Sequence, residues 1–355
     1  MSMITMTDIA TKAGVSRSAV SLVLNGRHND NIRIPDETRQ RILEVAAELG
    51  YRTNQLARAV ASGKSRMIGY LVTEPHYEPY WNTIIGALAE AEELGFTLKV
   101  LSVTHETLAE RIRQCVELRL GGLIVRVNSD KRLIFEEANR AQIPVVSVDE
   151  GIEQPFGTNV VADDAPGCHA AIQHLVQLGH TRIGFISSGF SLFGGPDIGS
   201  NREELFRLEM MRRGLAVPEG YVSREIMAVF GAHADAEENI QSVVEATQSL
   251  LEHPQGRPTA IFCWRDETAM CVIRVCRQRG LRVPDDISVV GFSDLGTARF
   301  FDPPLSTVKS PWDELGRTAM RQIAQRLGEE FSNHSSIHRV ATGFIARGST
   351  SPAPF

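Results

Sequence analysis

From residue 67 onward, short apolar runs alternate with amphipathic stretches of helical period, and this alternation restricts the fold more than any other feature. Runs at 67–72, 97–103, 122–127, 145–148, 183–187, 222–228, 260–263 and 287–291 read as strands. Helical segments at 80–94, 108–119, 131–141, 166–178, 202–213, 234–252 and 267–279 separate them. Repeated strand–helix units demand parallel sheets covered by helices, because each parallel strand needs a crossover to reach its neighbour. Such sheets bind ligands in the crevice at the carboxyl ends of their strands.

Length and composition bound the rest. A chain of 355 residues, 43% hydrophobic, fills two or three compact units. No stretch approaches 18 uninterrupted apolar residues, so no membrane span is expected. The first 13 residues lack the basic start and apolar run of a signal peptide, which points to a cytoplasmic protein. Cys115, Cys168, Cys263, Cys271 and Cys276 form no CxxC pair and have no His at metal spacing; they read as reduced, mostly buried thiols.

Enzyme signatures fail on inspection. Gly63-Lys64-Ser65 ends like a phosphate loop, but the required earlier glycine is Arg58, and the strand follows the tripeptide instead of preceding it. No GxGxxG, GxSxG or HExxH occurs, and Gly194-Gly195-Pro196 is a turn without a phosphate pattern. His169, His174 and His180 scatter along one helix and its exit and read as core or solvent-facing side chains. The expectation is no catalytic residue, no metal and no cofactor.

Charge is unevenly spread. Residues 1–66 hold ten Lys and Arg against six Asp and Glu, a net of +4, which leaves −10 on the remainder. A basic head on an acidic body suits a polyanionic partner. The head reads as three short helices. The first runs through Asp8–Ala13 with Thr7 as its N-cap, and Gly14 stops it. Ser16 caps the second, which ends at Asn25-Gly26. The third begins near Pro35, places Asp36 and Glu37 in its first turn, and carries the stripe Ile42, Val45, Ala46 and Leu49. Three helices with a glycine turn between the first two make a helix-turn-helix. Its second helix would enter the major groove, with Arg17 and Ser18 first at the base edges and Ser21 and Leu22 one turn on. Arginine can give guanine two parallel hydrogen bonds, worth ~1–3 kcal/mol of discrimination. Ser16, Asn25, Arg27 and Arg33 suit phosphates, which position without specifying. The competing reading is a small helical domain that happens to be basic.

DIATKAGVSRSAVSLVLNG, followed by ETRQRILEVAAELGYRTNQLARAVASGKSRMIGYLV, resembles the N-terminus of the lactose/galactose repressor (LacI/GalR) family. Further matches are IPVVSVDE, HLVQLGHTRIGFI, RPTAIFCWRDETAM, RGLRVPDDISVVGFSDLGTARFFDPPLSTV and ELGRTAMRQI, along nearly the whole chain. The resemblance implies an all-α helix-turn-helix head at 1–52, a hinge helix and linker at 53–66, and a two-lobed core at 67–355 like periplasmic binding proteins. It further implies that the chain crosses between lobes near 163, 293 and 327. One lobe would then comprise about 67–163 plus 294–326, the other about 164–293 plus 327–355. Asn54, Leu56, Ala57 and Val60 fall in the hinge, with Val60 at the position that wedges into the minor groove. Two departures stand out in this region: Val60 where leucine is common, and Leu22 where many relatives carry arginine. The stretch 27–33 also looks a few residues longer than usual.

The crevice should be lined from strand ends by Tyr80, Trp81, Arg126, Asp149, Arg202, Phe230, Trp264, Arg265, Ser293 and Asp294. By the resemblance, Tyr80 and Trp81 sit where an aromatic pair stacks on a ligand ring, and Arg202 where an arginine grips it. Arg265 stands where relatives that bind neutral sugars often carry Asn, and Ser293 where they often carry Asp. Two readings follow. Either the pocket is cationic and takes a sugar acid or sugar phosphate, or Arg265 pairs internally with Asp149, Asp266 or Asp294 and the effector is a neutral sugar or nucleobase. The sequence weighs these equally. The expected protein is a ligand-responsive transcriptional regulator, read as a repressor. It binds double-stranded operator DNA as a homodimer, since the tail after Gly343 has no heptads for a tetramer. A solute-binding protein or an enzyme on the same scaffold are the competing classes.

Overall fold

The computed structural model describes residues 4–24, 34–51, 65–73, 75–127, 131–148, 157–188, 198–225, 236–328 and 335–354. Two compact units divide the chain at Arg66 and Met67.

The first unit holds α1 (Met6–Ala13), α2 (Arg17–Leu24) and α3 (Asp36–Glu48). The cap of α1 is Thr5 and not Thr7: Thr5 and Asp8 form a reciprocal capping box, which starts the helix two residues earlier than the apolar pattern suggests. Gly14 ends α1 at φ +66°, a conformation that disfavours side chains. The Ser16 hydroxyl accepts from the Ala19 backbone N–H and caps α2. Ile9, Val20 and Ile42, one from each helix, are fully buried and form the centre of a small core.

The second unit contains two six-stranded sheets. The first is ordered β11-β5-β4-β3-β1-β2, from β1 (Met67–Val72), β2 (Thr97–Ser102), β3 (Gly122–Arg126), β4 (Val145–Val148), β5 (Thr158–Asp163) and β11 (Ser336–Ala341). All its pairings are parallel. The second is ordered β12-β10-β9-β8-β6-β7, from β6 (Ile183–Ser188), β7 (Val222–Glu225), β8 (Ala260–Cys263), β9 (Ser288–Ser293), β10 (Ser306–Lys309) and β12 (Gly343–Ile345). It is parallel except for the edge strand β12. The helices α4 (Glu78–Glu93), α5 (Leu108–Glu117), α6 (Lys131–Arg140) and α11 (Trp312–Arg326) serve the first sheet; α7 (Asp164–Gln177), α8 (Ile198–Arg212), α9 (Ala236–Leu251) and α10 (Asp266–Gln278) serve the second.

Two of the three crossings between lobes differ from those expected. The first lies between β5 and α7, at Asp163–Asp164. The second lies near 310 and not 293, because β9 is followed by β10 in the same sheet before α11 returns to the first lobe. The third lies at Thr342 and not 327, because β11 pairs with β5 and β12 with β10. Segment 294–309 therefore belongs to the second lobe, and 335–341 to the first. The helix α11 packs closely on α4, and glycines permit this. A Cβ on Gly86 would collide with the Asp313 carbonyl, and one on Gly316 with that of Thr83. Among the described residues no helix is long and apolar enough to cross a membrane.

Candidate functional site

At the carboxyl end of β3, Arg126 is buried within the first lobe's wall. Its guanidinium lies 4.1 Å from the Tyr80 ring centroid and 4.8 Å from that of Trp312. It donates to the Pro79 carbonyl at 2.6 Å and to the Thr83 hydroxyl. Stacking between two rings suits the weakly hydrated guanidinium and fixes it in place. Tyr80 is half-buried and 5.8 Å from the Tyr77 ring. Trp81 is turned the other way. It is 48% exposed and shares an α4 face with exposed Ile85 and Leu88, because successive helical residues point about 100° apart. The structure thus separates the aromatic pair: Tyr80 joins the cleft wall and Trp81 an outer apolar stripe.

The second lobe's wall gathers Arg202, Trp264 and Arg265. Arg202 pairs with Asp164 at 2.9 Å, donates to the Trp264 carbonyl, and lies 3.5 Å from the centroid of the Phe292 ring. Arg265 pairs with Glu225 at 3.0 Å, a partner outside the three considered from the sequence. Asp266 instead accepts from the Leu295 N–H and the Thr307 hydroxyl, and Asp294 is taken by Arg347 at 2.6 Å. Burial raises Asp266 to about 7 in spite of those two hydrogen bonds.

Ser293 and Asp294, at the end of β9, have φ +128° and +56°. Left-handed backbone at two adjacent non-glycine residues costs ~1–3 kcal/mol each and marks a place where the surroundings dictate conformation. The Ser293 carbonyl accepts from Trp312 Nε1 and from the Ser310 N–H, so the strained segment is tied to the start of α11. Two further bonds join the lobes. The Tyr77 hydroxyl donates to Glu267 Oε1 at 3.1 Å, and the Gly296 N–H to Glu78 Oε1 at 2.8 Å.

Asp164, Glu225, Phe292 and Trp312 were missed by sequence reasoning. Asp164 sits in the first turn of a helix, where an acid is unremarkable, and Glu225 lies inside a run read as strand to 228. Asp149 and Phe230 fall outside the described residues, as do Asn25, Arg27, Arg33, Asn54, Leu56, Ala57 and Val60. In the head, Ser16, Arg17 and Ser18 are exposed at the start of α2, while Ser21 and Leu22 are half-buried. His180 is a core histidine, bonded to Thr259, Ser288 and the Ser351 carbonyl. The five cysteines are free thiols, four of them buried. Among the described residues no group of His, Cys, Asp and Glu could hold a metal ion.

A helix-turn-helix head ahead of a two-lobed α/β core agrees with comparison to known proteins. Residues 5–54 match the bacterial regulatory proteins of the lacI family, and residues 172–350 a periplasmic binding protein-like domain. The HTH-type transcriptional regulator DegA of Bacillus subtilis is 32% identical, over 98% of this chain and 98% of that one. The chain belongs to the lacI family. The HTH-type transcriptional repressor PurR of Photobacterium profundum is 30% identical, over 94% of each chain. The lac repressor dimer bound to operator and the anti-inducer ONPF shares the fold, with a TM-score of 0.78 at 22% identity, over 99% of this chain and 100% of that one. Members of the lacI family are regulators and not enzymes, in line with the missing catalytic motifs.

Proposed function

We propose that this member of the lacI family is a sequence-specific transcriptional repressor that binds operator DNA as a homodimer and responds to an uncharged small molecule. The observation that carries the DNA-binding part is the exposed trio Ser16, Arg17 and Ser18 at the N-terminus of α2, the end that reads bases in such motifs. Arg17 reads base edges, and Ser16 orients the helix while contacting the backbone. The stripe Trp81, Ile85 and Leu88 supports self-association. Its residues recur at helical spacing on one face and are exposed apolar surface, the kind that a second copy covers.

The charge of the cleft supports a reading of the effector class. The anionic reading rested on Arg265, Arg202 and Arg126. In the second lobe, Arg265 and Arg202 each have a carboxylate within 3.0 Å, which favours the uncharged alternative of a neutral sugar or nucleobase. The buried Oδ1 of Asp164 has no hydrogen-bond partner among the described residues and would accept from a ligand hydroxyl or amine. Ligand bound between the lobes would set their angle through the crossings at Asp163–Asp164, near 310 and at Thr342, with a coupling to DNA affinity of ~1–3 kcal/mol.

The test is a titration of neutral sugars, nucleobases and sugar acids into the full-length protein on its operator, followed by fluorescence anisotropy. An uncharged compound that changes operator affinity supports the reading. A response to sugar acids alone would overturn the effector class.

A further inference from the structure

Glu225 ends β7 and is 1% exposed. Three donors converge on it. Trp264 Nε1 and Arg265 Nη2 reach Oε1 at 2.9 and 3.0 Å, and the Thr268 hydroxyl reaches Oε2 at 2.8 Å. The Arg265 Nε also donates to Thr268 Oγ1 at 3.1 Å, and its guanidinium lies 4.8 Å from the Trp264 ring. One carboxylate therefore fixes three side chains of the cleft wall. It also supplies the negative charge that a desolvated guanidinium requires.

We propose that Glu225 is a specificity-determining residue of the effector cleft. It neutralises Arg265 in place and so makes this wall accept uncharged ligands and reject carboxylates and phosphates. The inference rests on the effector-responsive reading above and names the residue that sets its charge preference. The logic is competitive. A ligand anion near Arg265 must displace Glu225 or sit beside it, and a buried glutamate repels it at short range in a medium less polar than water. Replacing the carboxylate by an amide keeps the shape, removes the repulsion and leaves a guanidinium suited to an oxyanion. The cleft would then change from neutral-selective to anion-binding through a single atom.

Inorganic phosphate is the probe, since it is small enough to need no particular ligand shape. Its affinity is measured by calorimetry at constant ionic strength for full-length wild type, Glu225→Gln, Arg265→Met and the double variant Glu225→Gln/Arg265→Met. Differences that depend on Arg265 report the cleft and not the basic head. The expected result is wild type indistinguishable from Arg265→Met, binding on the order of tenfold tighter or more in Glu225→Gln, and loss of that gain in the double variant. Wild type that already binds phosphate through Arg265 would overturn the proposal. So would a folded Glu225→Gln with wild-type affinity. Should Glu225→Gln fail to fold, the comparison of wild type with Arg265→Met still decides. The regulator reading fails by a different readout, the loss of sequence-specific DNA binding.

Discussion

The Tyr77 hydroxyl donates to Glu267 Oε1 at 3.1 Å and joins the segment before α4 in one lobe to the first turn of α10 in the other. The adjacent residue, Glu78, accepts from the Gly296 N–H, so two consecutive side chains bridge the cleft. Burial, reinforced by the Glu267 charge, holds the Tyr77 phenol well above its usual range, and it remains a donor at every physiological pH. Tyr77→Phe removes the donor and leaves Glu267 without it. The expected loss is ~1–3 kcal/mol, measured by urea unfolding of the full chain. An unchanged midpoint would mean that the bond does not persist in solution.

A pH dependence follows from Asp266. Its folded-state value is raised to about 7 from an ordinary 3.8, so between those values the folded protein holds a proton that the unfolded chain has lost. This contribution to stability is greatest at low pH, falls as pH rises through that window, and is flat above about 7. Asp266→Asn mimics the protonated acid. Relative to wild type, the variant should therefore gain on the order of 2 kcal/mol between pH 5 and pH 7. Parallel denaturation curves at the two pH values check this, and a pH-independent difference would contradict it.

Close packing of α4 on α11 gives a third expectation. Gly86→Ala and Gly316→Ala each drive a methyl group into a backbone carbonyl of the facing helix, which cannot move aside as a side chain tip would. Each should destabilise the first lobe by ~1–3 kcal/mol or more. Gly343→Ala, with open space at the same test, serves as the control in thermal unfolding.

The elements with strong periodicity were legible in the sequence. The strands 67–72, 145–148 and 260–263 coincide with the observed ones, and the helices differ by a few residues at their ends. The tail was not. β10 and β12 are four and three residues long, and nothing local to 293–345 says which of two similar sheets a strand will join. That choice is made by tertiary pairing, so two crossings were misplaced. Of the residues named for the cleft, Arg126, Trp264 and Arg265 do fall at strand ends, where an arginine or aromatic side chain is conspicuous, whereas Tyr80 and Arg202 lie on α4 and α8 and were named through the resemblance. Glu225 was not, because a glutamate in a polar edge strand looks solvated until its three donors are seen. The same contacts give Arg265 a partner that charge counting along the chain did not consider, while Asp266 and Asp294 are engaged elsewhere.

Arg17 is exposed at the first position of α2, and Ser16 just before it caps the helix. Arg17→Ala should cost ~1–3 kcal/mol on the preferred operator and relax preference at one base pair. Ser16→Ala should weaken binding on all sequences alike, by ~1 kcal/mol through the lost cap.

The most direct test of the account is the affinity of the full-length protein for a duplex selected from a random pool, against a scrambled duplex, over a range of salt concentrations. The account predicts a preference of at least about a thousandfold for the selected site and a linear fall of log affinity with log salt, with Arg17→Ala reducing the preference. Equal affinity for both duplexes, or a preference untouched by Arg17→Ala, would contradict it.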